Sequence, residues 1–175
     1  MAIFITSDLH LGHNKSFIYE ARGFETVEEM NAEIIRRWNS VVGEEDDVFV
    51  LGDLVMGSLE NLRLLEELNG RIHIVRGNHD TDNRWEHYKA IENVVEMENS
   101  IYFSYNGYKF YLSHYPTITT RADVGKPLKK CLVNLCGHTH TKNPFEDWEI
   151  GMIYHCEVDA HNCTPVPSEK IIEHL

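Results

Sequence analysis

The stretch Ile72-His73-Ile74-Val75-Arg76-Gly77-Asn78-His79-Asp80 decides the fold, because it joins an apolar run to a polar turn. The apolar start is typical of a buried strand, and Gly77 allows a sharp turn directly after it. Asn78, His79 and Asp80 then bring an amide, an imidazole and a carboxylate to the end of that strand. Open α/β sheets bind ligands beyond the carboxyl ends of their strands, so this turn is the first predicted site.

Further apolar runs in the chain end in polar tips of the same kind. Residues two apart in an extended chain point to the same side, so the Asp8 and His10 side chains are expected to face one point. The tips hold, in chain order, Asp8 and His10, Asp53, Asn78 and His79, His114, and His138 and His140.

This recurrence predicts a metal site. Carboxylates and imidazoles crowded together without a cation would leave like charges and unpaired donors, at a cost on the order of kcal/mol per group. A divalent metal ion removes that cost. The tips offer oxygen and imidazole ligands and no proposed cysteine ligand, so we expect manganese, iron, zinc or a similar ion instead of a thiolate-bound structural zinc.

Helical patterns separate the first strands. Thr26 has capping-box spacing to Glu29, and apolar residues follow at helical intervals as far as Val41. Ser58 is expected to cap a second helix that carries a leucine at every third position and stops at Gly70. Strand, helix and strand from 48 to 75 predict a right-handed crossover, which sets Asp53 and Asn78 at the same edge of a parallel sheet.

The second half of the chain predicts an antiparallel part. A short helix is expected over 84–93, and strands at 101–105 and 108–113 flank the hairpin turn Asn106-Gly107. A polar and basic loop at 117–130 precedes a strand at 132–136. A strand-like run at 150–158 and a short helix beginning at Ser168 complete the chain.

Length and composition indicate an ordinary globular protein. The 175 residues, 42% apolar and 25% charged, predict a single domain over residues 1–175. We expect a cytoplasmic protein without a membrane segment, and its four cysteines are expected to be thiols and not disulfides. The formal net charge of -12 would repel a polyanion, so extended nucleic acid is an unexpected partner.

The ordered tips resemble the signature motifs of the calcineurin-like metallophosphoesterases, most closely the small bacterial and phage members. The matching motifs are Asp8-Leu9-His10, Gly52-Asp53, Gly77-Asn78-His79-Asp80, His114 and Gly137-His138-Thr139-His140, with no departure at a ligand position. The resemblance implies an α/β sandwich with mixed β-sheets flanked by helices. It also implies two divalent metal ions, manganese favoured and iron, zinc, nickel or magnesium as alternatives. Asp8, His10 and His140 would bind one ion, Asn78, His114 and His138 the other, and Asp53 would bridge them.

The implied activity is hydrolysis of a small phosphate ester, with a phosphodiester or nucleotide-like substrate favoured. A hydroxide bound by both metals would attack phosphorus, and the metals would neutralise charge on the phosphoryl oxygens. His79 would protonate the leaving group, with Asp80 orienting its ring. The alternative for His79 is that it only braces its loop.

Two residues after the first tip are candidates for substrate binding. Asn14 and Arg22 follow the first ligand pair closely, and an arginine can grip a phosphate with two hydrogen bonds. Ordinary turn and surface roles are equally open for both. Arg76 and Arg121 are weaker candidates. The run 157–161 contains acidic residues and a histidine that could hold a metal, but the motifs already supply the ligands required.

Three other functions stay open at this stage. The protein could be a phosphomonoesterase of the same family, or a scaffold that kept the fold without turnover. A nuclease is the third alternative, for which a basic patch could grip a short strand through Arg121, Lys126, Lys129 and Lys130.

Overall fold

The computed structural model describes residues 1–119, 131–148 and 151–175, and all structural statements refer to these. The strands are β1 (Ile3–Thr6), β2 (Asp47–Val50), β3 (Arg71–Val75), β4 (Val94–Glu98), β5 (Ile101–Tyr105), β6 (Tyr108–Leu112), β7 (Leu132–Cys136), β8 (Phe145–Trp148), β9 (Gly151–His155) and β10 (Val166–Pro167). The helices are α1 (Ser16–Tyr19), α2 (Val27–Val41), α3 (Asp82–Tyr88) and α4 (Ser168–His174), with 3-10 helices at Leu59–Glu67 and Val158–Ala160.

The strands form two sheets of mixed direction. One has the order β10-β1-β2-β3-β4 and the other β5-β6-β7-β9-β8. In the first sheet β1 to β4 are parallel, and Thr6, Val50 and Ile74 lie side by side near the carboxyl ends of their strands. In the second sheet β6, β7 and β9 are parallel. The polar tips therefore leave each sheet at a common edge.

The first sheet is buried on both faces, which explains its nearly continuous apolar strands. Phe4 packs in a core shared with α2, whereas its neighbour Ile5 packs in the core between the two sheets. Phe49 of β2 stacks on Phe103 of β5 with 5.3 Å between ring centroids. These contacts confirm the predicted α/β fold with mixed β-sheets flanked by helices.

Several local predictions are confirmed. The parallel pairing of β2 and β3 confirms the crossover unit. The hairpin of β5 and β6 turns at Asn106 and Gly107, whose φ angles of 49° and 82° fit a tight hairpin turn. The four cysteines are buried and unbridged. Among the described helices, none has the length and apolar character that crossing a membrane requires.

The segment after Ser58 differs from its prediction, since it is a 3-10 helix and not an α-helix. Ser58 makes no capping hydrogen bond. A 3-10 helix has 3.0 residues per turn, so leucines at every third position share one face. Leu62, Leu65 and Leu68 are buried accordingly, while Leu59 at the start is partly exposed.

Other boundaries also need correction. Helix α3 begins at Asp82, earlier than the predicted 84, because Thr81 caps it by accepting a hydrogen bond from the Arg84 N–H. Strands β4, β8 and β10 were not predicted. The parallel pairs within the second sheet correct the expectation of an antiparallel second half. Most of the predicted loop at 117–130 lies outside the described residues, as does the basic patch.

Helix α2 offers a test of how its N-terminus is stabilised. The Thr26 hydroxyl accepts a hydrogen bond from the Glu29 N–H, whereas the Glu29 carboxylate accepts from the Glu25 N–H. We expect Thr26→Ala to lower the free energy of unfolding by about 1 kcal/mol, because a helix N–H loses its partner. Urea denaturation measures this, with Thr26→Ser as the matched control that keeps the hydroxyl. Equal stability of the two variants would contradict the role of the cap.

Candidate metal centre

The strand tips bring ligand atoms from distant parts of the chain together. One ligand atom from each of Asp8, His10 and His140 lies within 4.8 Å of the other two, and the same holds for Asp8, Asp53 and His114. Nε2 of His10 and Nε2 of His140 are 3.8 and 3.7 Å from Oδ1 of Asp8. The first predicted ligand set is therefore assembled by the fold.

Asp8 divides its two carboxylate oxygens between the protein and the site. Oδ2 accepts hydrogen bonds from the Ser7 hydroxyl and from the N–H of His138. Oδ1 is buried and has no hydrogen-bond partner among the described residues. Burial would raise the pKa of Asp8, but His10 and Ser7 lower that pKa overall. Asp8 thus offers one anionic oxygen to the centre.

His10 presents a bare ring nitrogen to the same point. Its buried Nε2 has no hydrogen-bond partner in the described structure and lies 3.8 Å from Oδ2 of Asp53. Its Nδ1 is 3.1 Å from Nδ1 of His13. Burial lowers the pKa of His10, and burial together with His10 lowers the pKa of His13 to about 4. A proton on Nδ1 of His10, donated to His13, leaves the Nε2 lone pair facing the carboxylates.

Asp53 lies between the two predicted ligand sets. Its Oδ1 accepts the His79 N–H at 2.8 Å, and its Oδ2 is 3.6 Å from Nε2 of His114. His114 donates its Nδ1–H to the Leu51 carbonyl, which leaves its Nε2 lone pair 2.8 Å from Oδ1 of Asn78. The His138 ring is 5.0 Å from the His114 ring.

These atoms fit a divalent cation. Oδ1 of Asp8 and Nε2 of His10 are buried acceptors without donors, an arrangement that is costly unless a positive ion lies between them. Carboxylate, amide and imidazole donors suit manganese, iron, zinc and related ions. The chain therefore has a candidate metal centre at the predicted strand tips.

The backbone at the tips is constrained as well. Positive φ angles, uncommon outside glycine, occur at five ligand candidates: Asp8, His10, Asp53, His138 and His140. The tips also approach one another closely at two glycines. A Cβ on Gly77 would be 2.6 Å from the Asp53 nitrogen, and one on Gly137 would overlap the Ser7 and Asp8 side chains. Larger residues at these glycines would displace the carboxylates.

Arg22 holds the backbone of the first ligand tip and does not face the site. This position corrects the prediction that Arg22 contacts the substrate. Its guanidinium forms two hydrogen bonds with Asp159, 3.0 and 2.9 Å long, and also donates to the carbonyls of Asp8 and Leu9. The side chain is only 2% exposed. Because its donors are bound by Asp159 and by the carbonyls of Asp8 and Leu9, Arg22 is a positioning residue.

Asp159 holds His140, and sequence reasoning missed this role. Nδ1 of His140 is 2.9 Å from Oδ2 of Asp159, and that hydrogen bond raises the pKa of His140. Burial raises the pKa of Asp159, but His140 and Arg22 outweigh it and lower the pKa overall. A carboxylate behind a histidine fixes the ring so that the other nitrogen faces the metal.

Glu157 supports the last ligand tip in a similar way. Its Oε1 accepts hydrogen bonds from the Thr139 hydroxyl, at 2.7 Å, and from the Thr139 N–H. Thr139 lies between the ligand candidates His138 and His140. The sequence did contain a signal for this role, because the strand-like run at 150–158 leads into the carboxylates Glu157 and Asp159. Its strand β9 pairs with β7, whose tip carries His138 and His140. The run 157–161 therefore supports ligand candidates through Glu157 and Asp159, a role that the sequence analysis did not predict.

Asp80 was predicted to contact the His79 ring, but its hydrogen bonds go to other groups. Its Oδ2 accepts hydrogen bonds from the N–H groups of Gly77 and Asp53, 2.8 and 2.9 Å long, and its Oδ1 accepts from the Tyr88 hydroxyl. A buried carboxylate with three such donors braces the loop backbone. Asp80 is therefore a positioning residue for the loop, and the prediction that it orients the His79 ring is wrong.

The remaining candidates lie around the opening of the site. The His79 side chain is 46% exposed, with Nε2 3.9 Å from Oδ2 of Asp53. Asn14 is exposed, so its substrate contact stays a prediction. Arg76 donates to Asp82 and to the Asp80 carbonyl and thus also braces the loop. Arg121 lies outside the described residues.

Removing the carboxylate behind His140 tests this arrangement. We expect Asp159→Asn to weaken divalent metal binding by about 10- to 100-fold, because the His140 ring loses its anionic partner. Isothermal titration calorimetry with Mn²⁺ measures the affinity. Glu60→Gln removes an exposed carboxylate elsewhere and serves as the charge-matched control. Unchanged affinity in a folded Asp159→Asn variant would show that Asp159 does not position a ligand.

The chain is similar in sequence to proteins from an archaeon and from a phage. The chain is 41% identical over 117 residues to an uncharacterized protein of Methanocaldococcus jannaschii, covering 65% of this chain and 58% of that protein. It is 29% identical over 161 residues to the gene 66 protein of Mycobacterium phage L5, covering 78% of this chain and 76% of that one. The chain thus spans less than two thirds of the archaeal relative.

Solved structures share the fold. A protein of unknown function from Aquifex aeolicus matches with a TM-score of 0.74 and 23% identity over 99% of both chains. A structure described as a novel archaeal phosphodiesterase matches with a TM-score of 0.51 and 23% identity over 89% of this chain and 82% of that one. The family described as calcineurin-like phosphoesterase superfamily domain matches residues 1–156. The chain belongs to the calcineurin-like phosphoesterase superfamily.

Proposed function

We propose that the protein is a phosphodiesterase that uses two divalent metal ions, manganese favoured, to hydrolyse small nucleotide-like phosphodiesters. The observation that carries the proposal is the position of Oδ2 of Asp53. It lies 3.8 Å from Nε2 of His10 and 3.6 Å from Nε2 of His114, and these histidines belong to the two predicted ligand sets. A carboxylate so placed is suited to bridge two ions.

The residues supply position and proton transfer. Bound ions would lower the pKa of a water from about 15.7 towards 7 and neutralise charge on the phosphoryl oxygens. Hydrogen bonds from Ser7, His138 and His79 hold the carboxylates of Asp8 and Asp53 in place. His79 is exposed beside the centre, where its imidazole is accessible to a leaving oxygen. A proton donated from the His79 ring would leave with the departing alcohol.

A small diester is favoured by the surroundings of the site. Asn78, His79 and His138 are all exposed at the opening, so the described part of the chain leaves this side accessible. The net charge of -12 disfavours a long polyanion. The archaeal structure described as a phosphodiesterase shares this fold, which makes diesters the first substrates to test.

Hydrolysis of paired model esters tests the proposal. Protein loaded with Mn²⁺ is expected to cleave bis(p-nitrophenyl) phosphate with a higher kcat/KM than p-nitrophenyl phosphate, and EDTA is expected to abolish both reactions. A faster monoester reaction would support the phosphomonoesterase alternative. Metal binding without hydrolysis of either ester would support the scaffold. Cleavage of short single strands that weakens with salt would support the nuclease.

The proton-donor role of His79 has its own test. We expect His79→Ala to lower kcat by about 10²–10⁴-fold for a diester with an alkyl leaving group, because an alkoxide needs a proton to depart. The loss should be much smaller with a p-nitrophenyl leaving group, and metal content should not change. His87→Ala, which removes an exposed histidine of α3, is the matched control. An equal loss with both leaving groups would assign His79 a role other than proton donation.

A further inference from the structure

An apolar groove adjoins the metal centre and has no part in the chemistry described above. The lining of a cavity of about 520 Å³ includes His10, His79 and His140. Four apolar residues of the same lining are together called the Phe17 groove: Phe17, Ile18, Ala21 and Met56. The size lies within the range of small-molecule sites, which are mostly apolar with a few polar groups.

Phe17 is exposed without a structural reason. It lies on the one-turn helix α1, which buries no residue, and its side chain is 68% exposed. Its neighbour Ile18 packs against the core, whereas Phe17 belongs to neither core cluster. A phenyl ring left in water beside a polar site is available for a flat ligand.

An aromatic row connects the metal centre to this ring. The His10 and His13 rings are stacked with centroids 5.2 Å apart, and the His13 ring meets the Phe17 ring edge-on at 5.8 Å. The Phe17 ring is therefore within reach of the organic part of a ligand whose phosphate is held at the metal ligand candidates. Lys142 lines the same cavity and adds a positive charge in a chain with a net charge of -12.

We propose that the Phe17 groove binds the nucleobase of a single nucleotide unit whose phosphate lies at the metal centre. This inference rests on the proposed function and names its substrate class. The base stacks on the Phe17 ring, and the polarizable thioether of Met56, which lines the same cavity, contacts the base. Lys142 attracts the phosphate oxygens. The apolar lining favours a flat heterocycle, since a sugar alone would leave the phenyl ring exposed.

Binding of two non-hydrolysable ligands tests the inference independently of turnover. The probes are the methylene phosphonate isosteres of AMP and of ribose 5-phosphate, the second of which has a hydroxyl where the first has adenine. Isothermal titration calorimetry with the metal-loaded full chain is expected to show about tenfold tighter binding of the AMP isostere. Phe17→Ala should remove this preference, and Phe17→Trp should keep it because an indole also stacks.

Tyr102→Ala provides the matched control. Tyr102 is 58% exposed on the edge strand β5 of the β5–β6 hairpin and does not line the cavity, so its loss should leave the base preference unchanged. Equal binding of both isosteres by the wild type, or a preference that survives Phe17→Ala, would overturn the inference. Loss of the preference in Tyr102→Ala would place the base on the hairpin and overturn it as well. The hydrolysis of model esters decides the proposed function separately.

Discussion

Two buried acceptor atoms, Oδ1 of Asp8 and Nε2 of His10, lie 3.8 Å apart, and neither has a hydrogen-bond partner within the described part of the chain. An unpaired anionic oxygen in the interior is unfavourable by several kcal/mol or more unless a cation compensates it. The surrounding structure makes this arrangement persist. Ser7 and the His138 N–H hold the other oxygen of Asp8, and His13 lies at the other nitrogen of His10. The candidate metal centre thus rests on buried side chains whose other atoms are held by the fold.

The need to hold these ligand atoms in place also accounts for the positive φ angles at the strand tips. Ligand residues with positive φ each cost about 1–3 kcal/mol, and such strain persists only where the surrounding structure enforces it. Close packing of Gly77 and Gly137 against the Asp53 and Asp8 tips provides that enforcement. Asp80 adds hydrogen bonds to two backbone N–H groups. Strain, close approach and buried carboxylates therefore act together to aim the ligands.

The sequence predicted the parts of the fold and site that depend on apolar runs, on where strands end and on turn residues. The apolar runs of β1 and β3 predicted the buried strands, and the rule that parallel strands end at one edge of a sheet placed Asp53 and Asn78 together. The Asn106-Gly107 turn gave the hairpin directly, because its residue types favour positive φ. The 3-10 helix was misjudged because a leucine at every third position fits both helix types when only the pattern is considered.

The support of the ligands was harder to predict, because it depends on partners far apart in the chain. Arg22 and Asp159 are separated by 137 positions, so no local pattern indicates their ion pair. Arg22 therefore resembled a surface residue that could bind phosphate. Asp80 was assigned to its neighbour His79, whereas its hydrogen bonds go to backbone groups and to Tyr88. The sequence thus identified Arg22 and Asp80 as residues near the site, but it did not identify the groups that they bind.

The most direct test of the account is anomalous diffraction at the manganese absorption edge from crystals of the full chain grown with Mn²⁺. The account predicts two anomalous peaks on either side of the Asp53 carboxylate. One peak should lie against Asp8, His10 and His140, and the other against Asn78, His114 and His138. A single peak, or none at these residues, would contradict a centre that binds two metal ions.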